Sequence, residues 1–252
     1  MVIQYASDLH LELERNRDIM SRRPLEVAGD VLLLAGDIMA VNDPCEWFVD
    51  WCAAHYRHTF IVPGNHDCFG GPDLAATLHD WCLPLRRNVA YVNNRSVTLD
   101  GTRLLLTTLW TPIHEAQLVV AQRDMPDFQG VMTLDGAPFA AAHYGVLHRH
   151  CRQWLATQLS LPHDGPTVVV THHCPIVSED PAYGDNGLGS AFCVPLDGMI
   201  ERCGASHWIF GHTHYNAARG TRLGDTTLHT NQLGSSSHGP RPGFVVNAHF
   251  EV

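Results

Sequence analysis

The residues of this chain best equipped for chemistry come in five short clusters. They are Asp8-Leu9-His10, Gly36-Asp37, Gly64-Asn65-His66-Asp67, His172-His173 and Gly211-His212-Thr213-His214. Carboxylate and imidazole together suit borderline divalent metals such as Zn, Mn, Fe, Co or Ni better than Ca or Mg. Two ligands two residues apart on a chain leaving a strand, as in Asp8-x-His10 and His212-x-His214, can point the same way. Any one cluster has an ordinary alternative: an aspartate after glycine can simply bond the amides of its own turn. Five of them in one chain, each placed after an apolar run, point instead to a shared metal site.

Ester hydrolysis at phosphorus is one chemistry that such a site could serve. A phosphoester resists attack because its oxygens repel an incoming nucleophile, and two cations about 3.5–4 Å apart neutralise those oxygens and activate a water. Asp37 has two oxygens and can reach both cations, while neutral Asn65 can bind one without cancelling its charge. His66 can stabilise developing charge or protonate the leaving alkoxide, a contribution of about 10²–10⁴-fold for a placed acid. Asp67 either orients His66 or holds the turn in place.

The elements that must position these residues are legible as apolar runs that end abruptly. "VIQYA", "VLLLA", "FIVP", "TVVV" and "HWIF" each lead straight into one of the five clusters. Continuous β-branched and leucine runs of this length suit strands buried on both faces. Between them lie helical patterns. One is capped at Asp43-Pro44 with Trp47, Phe48, Trp51 and Cys52 inward; one opens at Pro72 with Leu74, Leu78 and Trp81-Cys82 inward; one spans 141–160. Asp100-Gly101 between two apolar stretches predicts a hairpin. "TRLGDTTLHTN" and the terminal "GFVVNAHFEV" predict further strands. Strands interleaved with helices imply a layered α/β architecture with mixed sheets, as one domain over 1–252. In such sheets ligands gather at the carboxyl ends of the strands, where the clusters sit. The stretch 111–142 has weak periodicity and reads as an excursion that covers the site, and 179–193 is a second candidate wall.

This series of motifs resembles the calcineurin-like metallophosphoesterases. The resemblance implies a four-layer α/β/β/α sandwich of two mixed sheets flanked by helices, with two divalent transition metal ions, Mn, Fe, Zn, Ni or Co. Carried over residue by residue, it implies that Asp8, His10 and His214 hold one metal, that Asn65, His172 and His212 hold the other, and that Asp37 bridges them. His172 matches the first histidine of the family's motif, and His66 matches the non-ligand histidine that contacts the phosphoryl group. Serine/threonine protein phosphatases of the superfamily carry G-D-x-V-D-R-G, whereas here the stretch is Gly36-Asp37-Ile38-Met39-Ala40-Val41-Asn42. The missing aspartate and arginine steer the expectation toward a small or nucleotide-like phosphodiester, or a phosphomonoester, as substrate. "TTLWTP", "THHCP" and "NQLGSSSHGPRPGF" are similar to a branch of small bacterial members with no general substrate to carry over. Two rival readings remain open: a metal-dependent binding or scaffold protein without turnover, and a nuclease of the same family.

Composition narrows these. A formal net charge of −10, from 16 basic against 26 acidic residues, opposes a protein built to grip nucleic acid or an anionic membrane. The eight cysteines form no C-x-x-C pair and lie mostly in apolar contexts, as reduced structural thiols do. No apolar run approaches the ~20 residues of a membrane span, and the amino terminus lacks the basic and apolar regions of a signal peptide. The expectation is a cytoplasmic enzyme, with oligomeric state left open.

Overall fold

In a computed structural model, which describes residues 1–177, 187–235 and 239–252, the five apolar runs are strands. β1 (Val2–Ala6), β2 (Val31–Ala35) and β3 (His58–Val62) run parallel, and β5 (Val89–Asn93) continues them beside β3. Antiparallel strands close both edges: β14 (His249–Glu251) against β1, and β4 (Trp81–Arg86) against β5. The second sheet repeats this plan. Its parallel centre is β7 (Thr102–Thr107), β10 (Thr167–Thr171), β11 (His207–Phe210) and β13 (Thr226–Thr230). Its antiparallel edges are β6 (Arg95–Leu99) and β12 (Arg222–Leu223). Among the described residues each sheet therefore has six strands and is mixed.

The alternation of side chains across each strand builds the layers. Ile3, Tyr5, Val31, Leu33 and Val62 of the first sheet meet Leu104, Leu106, Val168, Val170 and Ile209 of the second, forming the core between sheets. The opposite face of the first sheet, with Leu32, Leu34 and Ile61, packs on α1 (Glu14–Arg22) through Met20 and on α2 (Glu46–His55) through Phe48, Val49 and Cys52. The outer face of the second sheet, with Leu105, Val169 and Trp208, packs on Leu155 of α4 (Ala141–Ser160). The order is helix, sheet, sheet, helix, as expected. At ~25 cal/mol per Å² of apolar area, this double-sided burial is the dominant stabilising contribution for the central strands.

Several local expectations need correction. The helix expected from Pro72 is only a 3₁₀ turn, Leu74–Thr77, and Trp81-Cys82 begins the edge strand β4 instead. Leu74, Leu78 and Trp81 fit a helical spacing, but the open side of β5 offers Trp81–Arg86 a ladder to join. Pro84 is tolerated there because an edge strand leaves one row of amides unpaired. Helix α2 starts two residues later than Asp43-Pro44 implied, with Cys45 at its cap and no side-chain cap bond. α1 has only Asn16 and Met20 buried, so it presents no apolar stripe to read. The carboxyl-terminal strand is confined to His249–Glu251.

The helix at 141–160 and the Asp100-Gly101 hairpin are as expected, the turn having φ of 48° and 79° at its two central residues. The 111–142 stretch is structured. It holds α3 (Leu118–Asp124), a 3₁₀ turn at Pro126–Phe128 and the small ribbon of β8 (Thr133–Leu134) with β9 (Ala137–Pro138). These pack on α4 through Phe128, Phe139, Tyr144 and Trp110 as a core of their own. Of the other expected wall, 179–193, residues 179–186 lie outside the described residues; Gly189–Phe192 is a short helical turn.

Candidate metal centre

All eight central strands point their carboxyl ends the same way, sheet against sheet, and the five clusters leave from those ends. The rim is stitched across the two sheets by backbone bonds: Ser7 N donates to Asn231 O at 3.0 Å and Gly234 N to Asp8 O at 2.9 Å. Five of the seven expected ligands sit in left-handed backbone, with φ of 54° at Asp8, 45° at His10, 55° at Asp37, 71° at His212 and 53° at His214. Such residues cost about 1 kcal/mol or more each and cluster where function demands the geometry. Each turns the chain sharply at the strand's end, so that its side chain doubles back into the crevice between sheets. Gly64 serves the same crowding: a Cβ there would lie 2.1 Å from Asp37 Oδ1 and 2.7 Å from His172 Cε1.

The donors converge as two groups that share Asp37. Asp8, His10, Asp37 and His214 form one, and Asp37, His172 and His212 the other. In the first, His10 Nε2 is 3.1 Å from His214 Nε2 and 3.7 Å from Asp37 Oδ2, and His214 Nε2 is 3.3 Å from Asp8 Oδ1. In the second, His172 Nε2 lies 3.0 Å from His212 Nδ1, 3.2 Å from Asn65 Oδ1 and 3.5 Å from Asp37 Oδ2. Thus one oxygen of Asp37 faces a histidine of each group. Asp8, His10, Asp37, Asn65, His172 and His212 are all buried.

Hydrogen bonds around the rim decide which atoms carry lone pairs inward. His10 Nδ1 is 2.7 Å from Glu12 Oε1, and His172 Nδ1 is 2.9 Å from Ala35 O, so both rings keep their proton on Nδ1. Their Nε2 atoms are then bare. Asn65 spends its Nδ2 on Asp127 Oδ1 at 3.0 Å, which aims its bare Oδ1 at His172. Bare nitrogens and oxygens packed about 3 Å apart repel one another unless a cation lies among them. The donor set of imidazole, carboxylate and one amide therefore fits a pair of transition metal ions by its chemistry.

Asp67, expected to orient His66 or to hold the turn, does the second. Its Oδ2 accepts from the amides of Asp37 and Gly64, both at 2.7 Å, and its Oδ1 from Ile38 at 2.9 Å and Met39 at 2.8 Å. Tyr91 adds its hydroxyl at 3.2 Å. No hydrogen bond joins Asp67 to His66 among the described residues. The carboxylate beside His66 is Glu12, 3.7 Å from its Nδ1. His66 is the most open of the expected site residues, with a third of its side chain exposed, and its backbone N–H donates to Asp37 Oδ1 at 2.9 Å. Burial alone would lower its pKa, but Asp37, Glu12 and Asp127 outweigh that and push it up to about 9. For Glu12, burial is likewise outweighed by the two histidines, which hold its carboxyl down at about 2.

Sequence reasoning missed Glu12, Asp127 and Tyr144. Glu12 had a signal, since it continues the every-second-residue spacing of Asp8 and His10. Asp127 had none: it is buried in the 111–142 excursion, and Tyr144 of α4 donates its hydroxyl to the same oxygen that Asn65 reaches. Through Asp127 that segment buttresses Asn65. His173 is buried 4.2 Å, ring to ring, behind His212 and faces Thr108 O through Nδ1, away from the other donors. Cys68 packs into the excursion's core.

Strand-end clusters, two sheets and shared carboxylate together define a metal-dependent hydrolase of phosphoric esters, and the chain belongs to the calcineurin-like phosphoesterase family, whose pattern matches residues 1–216. It is similar over its whole length, at 24% identity, to an uncharacterized protein of Acanthamoeba polyphaga mimivirus, covering 96% of that protein. Among solved structures it resembles the phosphopantetheinyl hydrolase PptH of Mycobacterium tuberculosis. There the TM-score is 0.65 at 17% identity, over 92% of this chain and 89% of that one. A dimetal phosphatase from Danio rerio aligns with a TM-score of 0.43 at 13% identity, over 92% and 87% of the two chains. Among the described residues no helix is long and apolar enough to cross a membrane.

Proposed function

We propose that the chain hydrolyses a small or nucleotide-like phosphodiester with two divalent transition metal ions, extending to phosphomonoesters of similar size. The observation that carries this reading is the pair of donor groups sharing Asp37, with half-open His66 beside them. Asp8, His10 and His214 would hold one ion, Asn65, His172 and His212 the other, with Asp37 between. Bound there, the ions would neutralise phosphoryl oxygens and make a water nucleophilic near neutral pH.

The chain's own residues would do the rest. His66, beside Asp37 and Glu12, would donate a hydrogen bond to the phosphoryl group or a proton to the departing oxygen. Glu12 would orient both His10 and His66. Asp67 would act on the reaction only through the backbone it ties together. The formal net charge of −10 supports a small ester over a nucleic acid.

Metal analysis of the purified chain should give about two transition metals, and bis(4-nitrophenyl) phosphate should be hydrolysed. His66→Ala should lower kcat by about 10²-fold or more while both metals remain. Metals lost together with His66 would overturn its role. A metal-loaded chain inactive on a broad panel of mono- and diesters would favour a non-catalytic binding protein.

A further inference from the structure

A groove of about 500 Å³ starts at His214 and runs outward past Tyr215 to Arg241. We propose that Arg241 forms an anion subsite, so that the chain selects phosphodiesters carrying a second anionic group, a carboxylate or phosphate, on the side of the ester that leads away from the metals. The inference rests on the phosphodiesterase reading above and narrows its substrate class.

Three observations carry it. First, the position of Arg241 is built. Its N–H donates to Leu233 O at 2.9 Å and its carbonyl accepts from Phe244 N at 3.1 Å, which pins the backbone on both sides. Second, its side chain is brought against a metal-site histidine at a point where only glycine fits. A Cβ on Gly234, at φ +79°, would lie 2.6 Å from Arg241 Cγ, 3.3 Å from Arg241 Nε and 3.4 Å from His214 Cγ. Gly234 is itself held by Asp8 O and by Asn16 Nδ2, so the approach of arginine to histidine is part of the rim's own bonding.

Third, the guanidinium is left for a ligand. Among the described residues Arg22, Arg57, Arg86, Arg95 and Arg123 pair with carboxylates. Arg241, like several other arginines, does not, but Arg241 alone of these lines the groove beside His214. Arg241 is exposed, and among the described residues no carboxylate lies within ion-pair reach of it. A planar fork of N–H donors recognises carboxylate and phosphate with two parallel bonds, which a lysine cannot do. The half-exposed ring of Tyr215 along the groove gives the body of such an ester an apolar wall. The volume is that of a site for a small organic ligand rather than a polymer.

Two matched esters test this: 4-nitrophenyl phenyl phosphate, and its analogue with a carboxylate on the phenyl ring. For the wild-type chain loaded with Mn, KM for the carboxylated ester should be about fivefold to tenfold lower. In Arg241→Gln the ratio of the two KM values should fall to about one. A ratio of one in the wild type, or a preference that survives Arg241→Gln, would overturn the subsite. If neither ester is cleaved, it is the phosphodiesterase reading that fails. The subsite is then judged by calorimetric binding of phenylphosphonate and its carboxylated analogue to the Mn-loaded chain, with the same ratio expected and the same outcomes decisive.

Discussion

Asp67 and Asp127 are both fully buried carboxylates within reach of the site, yet their hydrogen bonds give them different work. Asp67 gathers four backbone amides from the turns after β2 and β3. Asp67→Ala strands all four, at about 1–3 kcal/mol for each group left without a partner. The melting temperature of the metal-free protein should therefore drop by about 10 °C or more. If Asp67 acted chiefly on His66, the variant would instead melt normally and lose only kcat. Asp127 fixes the orientation of one amide. Asp127→Asn keeps the volume but can offer Asn65 the wrong end of an amide, releasing its oxygen from the second donor group. Calorimetric titration with Mn should show one of the two binding steps weakened about 10–100-fold, the usual cost of losing a ligand's supporting partner.

The elements explain why such partners could not be read from the chain. A strand buried on both faces announces itself by its own residues, and all five apolar runs became strands with their clusters at the carboxyl ends. The convergence of the seven candidate ligands was legible for that reason: each is close in sequence to the strand that places it. Asp127 reaches Asn65 across 62 residues through a packed 3₁₀ turn, and no local pattern encodes that distance. Trp81 and Cys82 show the opposite failure, where a local pattern fitted a helix but the vacant edge of β5 decided for strand β4. The excursion is itself an element with a core, in which Phe139 touches Trp110, Phe128 and Tyr144 at ring separations of 5.7–5.8 Å. Phe139→Ala should cost about 3–5 kcal/mol by opening a cavity. Because Phe128 adjoins Asp127, the same Mn-binding step should weaken as in Asp127→Asn, which links packing to metal affinity in one measurement.

Across the whole molecule the two sheets meet in an apolar layer that ends in an aromatic and imidazole cluster. His229 lies 2.9 Å from His207 and is stacked on Phe250 at 4.3 Å. Burial, then His207 and Arg219, pull the pKa of His229 down to about 3 from the ordinary 6.5. The unfolded chain takes up a proton below that ordinary value while the folded chain does not. Stability is thus fully present above 6.5 and declines as pH falls toward 3, by roughly 5 kcal/mol at most. Chemical denaturation across that range should show the slope, and His229→Asn should flatten it. The stretch between β13 and β14 has its two ends in different sheets: β13 lies beside the edge strand β12 of the second sheet, and β14 is itself an edge strand of the first. Arg241 rides on it, while none of the seven donors does. Apart from Asn231 and Gly234, which bond the rim, the positions of such a strap can change without unpicking either anchor. A lineage could in this way acquire new appetites while its hydrolytic engine was inherited unchanged.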